Sequence, residues 1–297
     1  MGCGRWAGGV RACRGDKPQK HGGVYRRCET ITPAGTMVNT ARDRRVAGGW
    51  VRARRDGDLV TKAFAEAVPE ATIAATKGIV WNVAYGGDDP RDDGEYVYYE
   101  TVAGGYGARA ETDGMDAVQT HFQNTANSPI EELESELPVR VRRYELRTDS
   151  EGAGRTRGGL GVRRDLEFYD HEASFSLLTD RTESRPWGIF GGHAARPARF
   201  YRNPETAEET ALASKSTTTL DPGDVVSVQT PGGGGYGDPL ERDPEAVLED
   251  VRDGKVSVSK AEGAYGVVVN DGAIDAAATE RCRAARRNVT TDGGDRQ

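Results

Sequence analysis

Residues 96–109 read Tyr-Val-Tyr-Tyr-Glu-Thr-Val-Ala-Gly-Gly-Tyr-Gly-Ala-Arg, and this stretch decides the fold class. Tyr96 to Thr101 alternate in the manner of a strand, and three glycines then remove Cβ atoms where backbone bends sharply or approaches something closely. Arg109 closes the run. Further on comes Thr120-His121-Phe122-Gln123-Asn124-Thr125-Ala126-Asn127-Ser128-Pro129, followed by Glu131, Glu132 and Glu134. A lone histidine between a Gly-Arg turn and an amide-rich loop has the look of a site rather than of a core.

Working outward, the centre of the chain is β-rich. Val139 and Val141 share a face, with Arg140 and Arg142 opposite; the pattern slips at Arg142-Arg143, so that Tyr144 and Leu146 become the apolar pair, and a bulge accounts for the slip. Leu166 with Phe168, and Phe175 with Leu177, alternate the same way. Asp221-Pro222-Gly223-Asp224 is a turn, after which Val226 and Val228 begin another strand. Upstream, Leu59, Val60, Ala63, Phe64 and Ala67 fall on one helical face over Asp58–Val68, with Pro69 as the stop. Ile79–Tyr85 is expected as a buried strand closed by Gly86-Gly87, and Pro33-Ala34-Gly35 as a turn. The end is helical: Asp243 caps, Pro244 suits the first helical position, and Val247, Leu248 and Val251 form the stripe. Ser257 caps a second helix ending near Gly266, and Asp275–Arg287 is a third. The fold class is therefore α+β, a β-rich mixed architecture with Gly-rich loops and a short helical carboxy-terminal tail. Three regions are expected: an arm over 1–19 with no periodicity, a β-rich region over 20–240, and a helical tail of the same domain over 241–297 with a disordered end. Nothing in the arm can bury a core, so protease is expected to cleave it readily.

Composition bounds the function. The 297 residues carry a net charge of −7, which argues against non-specific nucleic-acid binding. Mean hydropathy is −0.67, and no apolar run approaches the roughly 20 residues of a membrane span. The first 15 residues lack an apolar h-region, and Cys3, Cys13, Cys28 and Cys282 form no C-x-x-C pair, so free thiols in a cytoplasmic setting are expected.

His121 is the strongest polar candidate, because imidazole titrates near working pH; its alternative role is to tie down a loop. Asn124 and Asn127 either orient it and hold a substrate carbonyl or form Asx turns. Glu100 and Arg109 flank Gly104-Gly105, and Arg109 can pair with a carboxylate, an imide oxygen or a phosphate, or make a structural ion pair. Asp180-Arg181, at the end of an alternating strand, either lines a cleft or closes a turn. His171 and His193 are expected at the surface. Gly232–Gly237 satisfies G-x-G-x-x-G, but Asp238-Pro239 interrupts it and no helix opens within it, so a packed glycine turn is expected, not a dinucleotide site. No metal-ligand spacing is present.

These runs, with Arg143-Tyr144-Glu145-Leu146-Arg147, Gly152-Ala153-Gly154-Arg155, Arg157-Gly158-Gly159-Leu160-Gly161, Pro186-Trp187-Gly188 and Gln229-Thr230-Pro231, together resemble the hydantoinase B family over roughly residues 20 to 285. The resemblance implies a B-type component of an ATP-dependent amidohydrolase that opens cyclic amides such as hydantoins or 5-oxoproline. An A-type partner would phosphorylate the substrate oxygen, with ATP and a divalent metal belonging to the whole complex and none bound by this chain. It also implies His121, Arg109 and Asp180 as catalytic residues, with Glu100, Gly104, Gly105, Asn124, Asn127 and Arg181 as substrate lining. Two other readings stand beside it: the alpha-type subunit of an acetone or acetophenone carboxylase-like complex, and a non-catalytic remnant or interaction module. The H-x-x-D and H-H-A-D motifs of the family's amino-terminal half have no counterpart here, so that half is expected to be separately encoded or lost, and the isolated chain is expected to be inactive.

Overall fold

The computed structural model describes residues 31–36, 39–40, 49–121 and 123–292. The expected arm over 1–19 and the chain past 292 lie outside these residues. Helix α1 (Gly49–Ala63) is followed by a 3-10 turn at Pro69–Ala71 and two strands, β1 (Trp81–Asp88) and β2 (Glu95–Val102). Helix α2 (Ile130–Glu136) leads to β3 (Val139–Leu146), β4 (Val162–Phe168), β5 (Ala173–Leu178), β6 (Arg199–Arg202), β7 (Thr210–Ala211), β8 (Lys215–Leu220) and β9 (Val225–Gln229). The tail holds α3 (Pro244–Arg252), α4 (Val258–Tyr265), a hairpin of β10 (Val269–Asn270) and β11 (Ala273–Ile274), and α5 (Ala276–Asp292). One sheet has the order β2-β1-β5-β8, the other β3-β4-β9-β6-β7, and the pairs within both are antiparallel.

The two sheets face each other across an aromatic core. Tyr85 of β1 stacks on Phe175 at 6.1 Å and meets the edge of Phe168 from the other sheet at 5.4 Å, while Trp81 reaches Phe200 at 5.7 Å. Val83, Leu166, Leu177, Val226 and Val228 fill the layer between them, all buried. The period-2 pattern produces this directly: alternate side chains of each strand point inward, and buried aromatic pairs of this kind add about 0.5–1.5 kcal/mol each beyond their burial. The slip at Arg142 is a bulge, with the register shifting between Val141 and Arg143. Past the bulge the structure departs from expectation. Tyr144 and Leu146 are half-exposed, because Arg164 occupies the inward position and the Tyr144 ring lies over its guanidinium at 4.7 Å.

Three other expectations are corrected. Helix α1 starts earlier than Asp58 and ends at Ala63; it buries Arg54 and Asp58, whereas Leu59 is exposed. It packs on polar loops, so charge rather than apolarity selects its inner face. Strand β1 continues through Gly86-Gly87, which do not turn: a Cβ on Gly86 would lie 2.4 Å from the Tyr96 carbonyl oxygen, and one on Gly87 2.5 Å from that of Glu172. His171 is buried, its Nε2 2.7 Å from the Tyr96 hydroxyl and its Nδ1 2.7 Å from the Tyr169 carbonyl.

The glycines of the centre build a bundle of bare threads. Pro231–Tyr236 runs extended, not as a turn, and its successive residues bond in different directions. Gly233 N–H donates to Gly159 O and Gly233 O accepts from Gly152; Gly234 bonds Ala75 and Ala108, and Gly235 bonds His193 and Ile189, all at 2.8–3.0 Å. A strand in a sheet has two neighbours, whereas this thread has several, as in the collagen triple helix, where only glycine fits the crowded axis. A Cβ on Gly233 would sit 2.0 Å from Tyr106 O, and one on Gly105 2.1 Å from Gly159 O.

The tail is clamped to these threads. Asp243 caps α3 by accepting from Glu245 N at 3.0 Å, and Ser257 caps α4 by accepting from Lys260 N at 3.1 Å. Gly266 closes α4 in the left-handed region. Val247, Leu248, Tyr265 and Val267 pack with Ala153. Beneath them Arg157 donates to Asp250 at 2.8 Å and to Asp116 at 2.9 Å, while Arg242 grips Asp113 with two 2.7 Å bonds. Helix α5 runs past Arg287 to Asp292. Among the described residues no helix is long and apolar enough to cross a membrane.

Two expectations follow from this packing. Gly233→Ala should destabilise by about 3 kcal/mol or more through overpacking against backbone. By contrast, Gly263→Ala, in α4 with open space around its Cβ position, should stabilise by about 0.5–1 kcal/mol; denaturant midpoints separate the two. Burial pushes the Asp113 carboxyl up, but the Arg242 and Arg157 guanidinium groups prevail and hold it below its ordinary 3.8. Its contribution to stability is therefore present above pH 3.8 and is lost as pH falls below that. Asp113→Asn should be destabilised at neutral pH, with the gap to wild type closing as the pH drops below 3.8 in pH-resolved melting.

Candidate functional site

One carboxylate gathers the site. Asp58 projects from α1 and its side chain is fully buried. Its Oδ1 accepts from Thr76 N at 3.2 Å and Thr76 Oγ1 at 3.0 Å, and lies 2.8 Å from His121 Nε2. Its Oδ2 accepts from Arg181 Nη2 at 2.8 Å. Backbone special cases bring these groups together. His121 has φ +59° and Arg181 φ +63°, left-handed conformations in which each side chain swings back toward α1. Gly78, at φ +75°, leaves room for the Arg181 guanidinium, which a Cβ there would meet at 2.5 Å. The His121 ring lies against α1 beside Gly57, 3.5 Å from where a Cβ there would stand, an ordinary van der Waals distance.

Around this hub the chemistry is cationic and aromatic. Arg181 lies 5.1 Å from the Trp187 ring, and Lys62 5.0 Å from the same ring. Burial pulls the Arg181 guanidinium below the usual arginine range, with Asp58 opposing. Tyr106 stands 6.3 Å from the His121 ring, and Arg109 lies over its phenol at 5.5 Å. Burial pushes that phenol up, and Arg109 draws it partly back. Lys77 is fully buried, with Nζ donating to Val102 O at 2.7 Å and to Gln119 Oε1 at 2.6 Å; burial, reinforced by Arg54, holds its amine well below the usual lysine range. Asp180 meets Arg55 at 3.4 Å and accepts from Arg181 N at 2.9 Å, and Arg55 also donates to Ser184 Oγ.

The residues singled out from the sequence thus divide. His121, Arg181 and Asp180 share one cluster, and Arg109 joins it through Tyr106. Glu100 and Asn127 belong to another: Glu100 Oε2 accepts from Asn127 at 2.7 Å and lies 3.3 Å from Arg164 Nη2, inside the sandwich. Burial raises the Glu100 carboxyl, against the pull of Arg164. Asn124 is exposed. Gly104 pairs with Val118 and makes room for the Lys77 stem, and Gly105 is one of the packed threads. Sequence reasoning missed Asp58, Thr76, Lys77 and Trp187. For Asp58 a signal existed: Arg54, Asp58 and Lys62 recur at i, i+4 as a charged stripe, with Gly57 beside it.

Among the described residues no group of three or more His, Cys, Asp and Glu is arranged to hold a metal ion. Both Asp58 oxygens are already committed to donors, so this cluster does not fit a divalent cation. The Gly233–Gly235 N–H groups are committed to carbonyls, so they do not fit a nucleotide phosphate. The cluster offers instead an oriented imidazole, a phenol and an exposed guanidinium.

The profile of the Hydantoinase B/oxoprolinase family matches residues 6–239, so the match begins inside the first 19 residues, which the sequence motifs had left outside. The B-type component of a putative D-/L-hydantoinase from Pseudomonas sp. (strain NS671) is 37% identical over 259 residues, 86% of this chain and 43% of its own. The beta chain of the caprolactamase of Pseudomonas jessenii is 34% identical over 90% of this chain and 48% of its own. The crystal structure of that ATP-dependent caprolactamase superposes with a TM-score of 0.81 at 32% identity, covering 95% of this chain and 50% of the other. A nucleotide-free acetone carboxylase shares the fold, at a TM-score of 0.75 and 24% identity. The chain spans about half the length of the curated relatives it matches. It belongs to the hydantoinase B/oxoprolinase family.

Proposed function

We propose that the chain is a B-type component of an ATP-dependent amidohydrolase that opens a cyclic amide such as a hydantoin, a lactam or 5-oxoproline, working with an A-type subunit in the cytoplasm. The observation that carries the reading is the imidazole of His121, held by a buried carboxylate and bordered by Tyr106 and Arg109. Family membership and the relatives named as a hydantoinase component and an ATP-dependent caprolactamase support the substrate class. ATP supplies activation of the amide oxygen, which turns a poor electrophile into a reactive one. The residues of this chain then orient water and meet developing charge: His121 moves the proton, and Arg109 and Tyr106 face the anionic substrate oxygen. Arg181 and Asp180 hold the cluster in shape.

Activity is expected only when the chain is combined with an A-type subunit and the remaining half of the B-type component. In that complex His121→Ala should lower turnover about 100-fold or more, the scale of a lost acid-base group. Steady-state assays of ATP-dependent ring opening, with acetone plus bicarbonate as a parallel substrate, check both points. Ring opening by the isolated chain, or unchanged turnover in His121→Ala at unchanged melting, would count against this reading.

A further inference from the structure

The hydrogen bonds at Asp58 fix which nitrogen of His121 is free to react. A carboxylate only accepts, so the 2.8 Å contact between Asp58 Oδ1 and His121 Nε2 requires the hydrogen on Nε2. The neighbouring hydroxyl does not compete for it. Thr76 Oγ1 accepts from Gly78 N at 3.0 Å and directs its own hydrogen to Asp58 Oδ1 at 3.0 Å. Nδ1 is left with its lone pair. The side chain retains 13% exposure, enough for a small reactant to reach it.

We propose that His121 Nδ1 is the atom that exchanges protons with the reacting water, and that Asp58 is the residue that positions it through Nε2. This rests on the hydrolytic reading above. In the step, a water O–H bond breaks, its proton goes to Nδ1, and its oxygen bonds to the activated amide carbon. As the ring C–N bond breaks, Nδ1 returns the same proton to the departing nitrogen, the added hydroxyl gives its remaining hydrogen to solvent as the carbonyl re-forms, and the activating phosphoryl group stays on the former amide oxygen until a second water releases it as phosphate. Asp58 stays a carboxylate throughout and steadies the transient imidazolium. Arg181, on the far oxygen of Asp58, balances the negative charge, so the pair needs no permanently protonated imidazole. Among the described residues, the other ionisable groups facing the ring are the Tyr106 phenol and, behind it, Arg109.

Arg181 makes the inference testable. In Asp58→Asn the amide oxygen can serve only one side; the buried guanidinium, being charged, outcompetes the neutral Thr76 N–H for it, which costs Thr76 N its acceptor and turns the NH2 toward His121. Nε2 must then accept, and the hydrogen moves to Nδ1. Long-range 1H–15N spectra of the full chain, labelled at histidine, read this directly, with His121 assigned by its loss in His121→Gln. The expected result is a single Nε2–H tautomer in wild type and an Nδ1–H tautomer in Asp58→Asn. In the reconstituted complex kcat should fall about 100-fold or more with KM little changed, as when an orienting carboxylate is lost. An Nδ1–H tautomer in wild type overturns the proposal even if Asp58→Asn does not fold. So does a folded Asp58→Asn chain with wild-type tautomer or wild-type kcat. The expected spectra without ATP-dependent ring opening would remove only the hydrolytic assignment, because the tautomer is read without substrate.

Discussion

The structure depends on backbone packing against backbone with nothing between. At Gly233 the Tyr106 carbonyl occupies the space a methyl group would need, and Gly233, Gly234 and Gly235 each bond to different parts of the chain. The segments drawn together include Ala74–Lys77, Gly104–Ala108, Gly152–Gly159 and Trp187–His193. Three of them carry the site: Thr76 and Lys77 lie in the first, Tyr106 in the second and Trp187 in the fourth. The helical tail is fastened to the third through Arg157 and Ala153. The sandwich supplies apolar stability, but the threads decide where its loops go.

On this frame the site is assembled from elements distant in sequence, with Asp58 as the common acceptor. A buried carboxylate is costly unless its oxygens are satisfied, and here each has a donor. The inter-sheet pair of Glu100 and Arg164 is satisfied only in part: Asn127 donates to Glu100 Oε2, whereas Glu100 Oε1 and the Arg164 guanidinium nitrogens have no hydrogen-bond partner among the described residues. The YYETVAGGYGAR run therefore serves two ends. Its acidic residue points into the sandwich, and its aromatic-arginine end faces His121.

The sandwich was legible because period-2 alternation is a local signal. Leu166 with Phe168, Phe175 with Leu177, and the bulge at Arg142 could all be read from a few adjacent residues. Helix caps at Asp243 and Ser257 were legible for the same reason. His121, Arg181 and Asp180 stood out by chemistry, but not Asp58. Its role comes from burial against residues far along the chain; the charged stripe of Arg54, Asp58 and Lys62 marks the helix face but not the partners it meets. Glu100 looked like a site residue because it flanks the glycines, and Asn127 because it follows His121 in an amide-rich loop; strand alternation sends Glu100 inward with Tyr98 and Val102, and Asn127 goes with it as its donor. Gly86-Gly87 misled because close strand approach and a turn both select glycine, and composition alone does not separate them.

Helix α1 is fastened unlike any other element. Its described side chains reach the body through the buried Arg54 and Asp58 and through Arg55 and Lys62, with Leu59 left in solvent. Among the described side chains this attachment is charged rather than apolar, and it is expected to place α1 at the low end of the molecule's spectrum of local opening energies. Release of this one helix would strip His121 and Arg181 of their shared carboxylate while the sandwich and the glycine threads stayed closed. Hydrogen exchange would then be faster in α1 than in β1 or β4, and faster still at high ionic strength, which screens the more exposed Arg55–Asp180 pair. The competent site is thus a population, set by how much of the time one charged helix is seated.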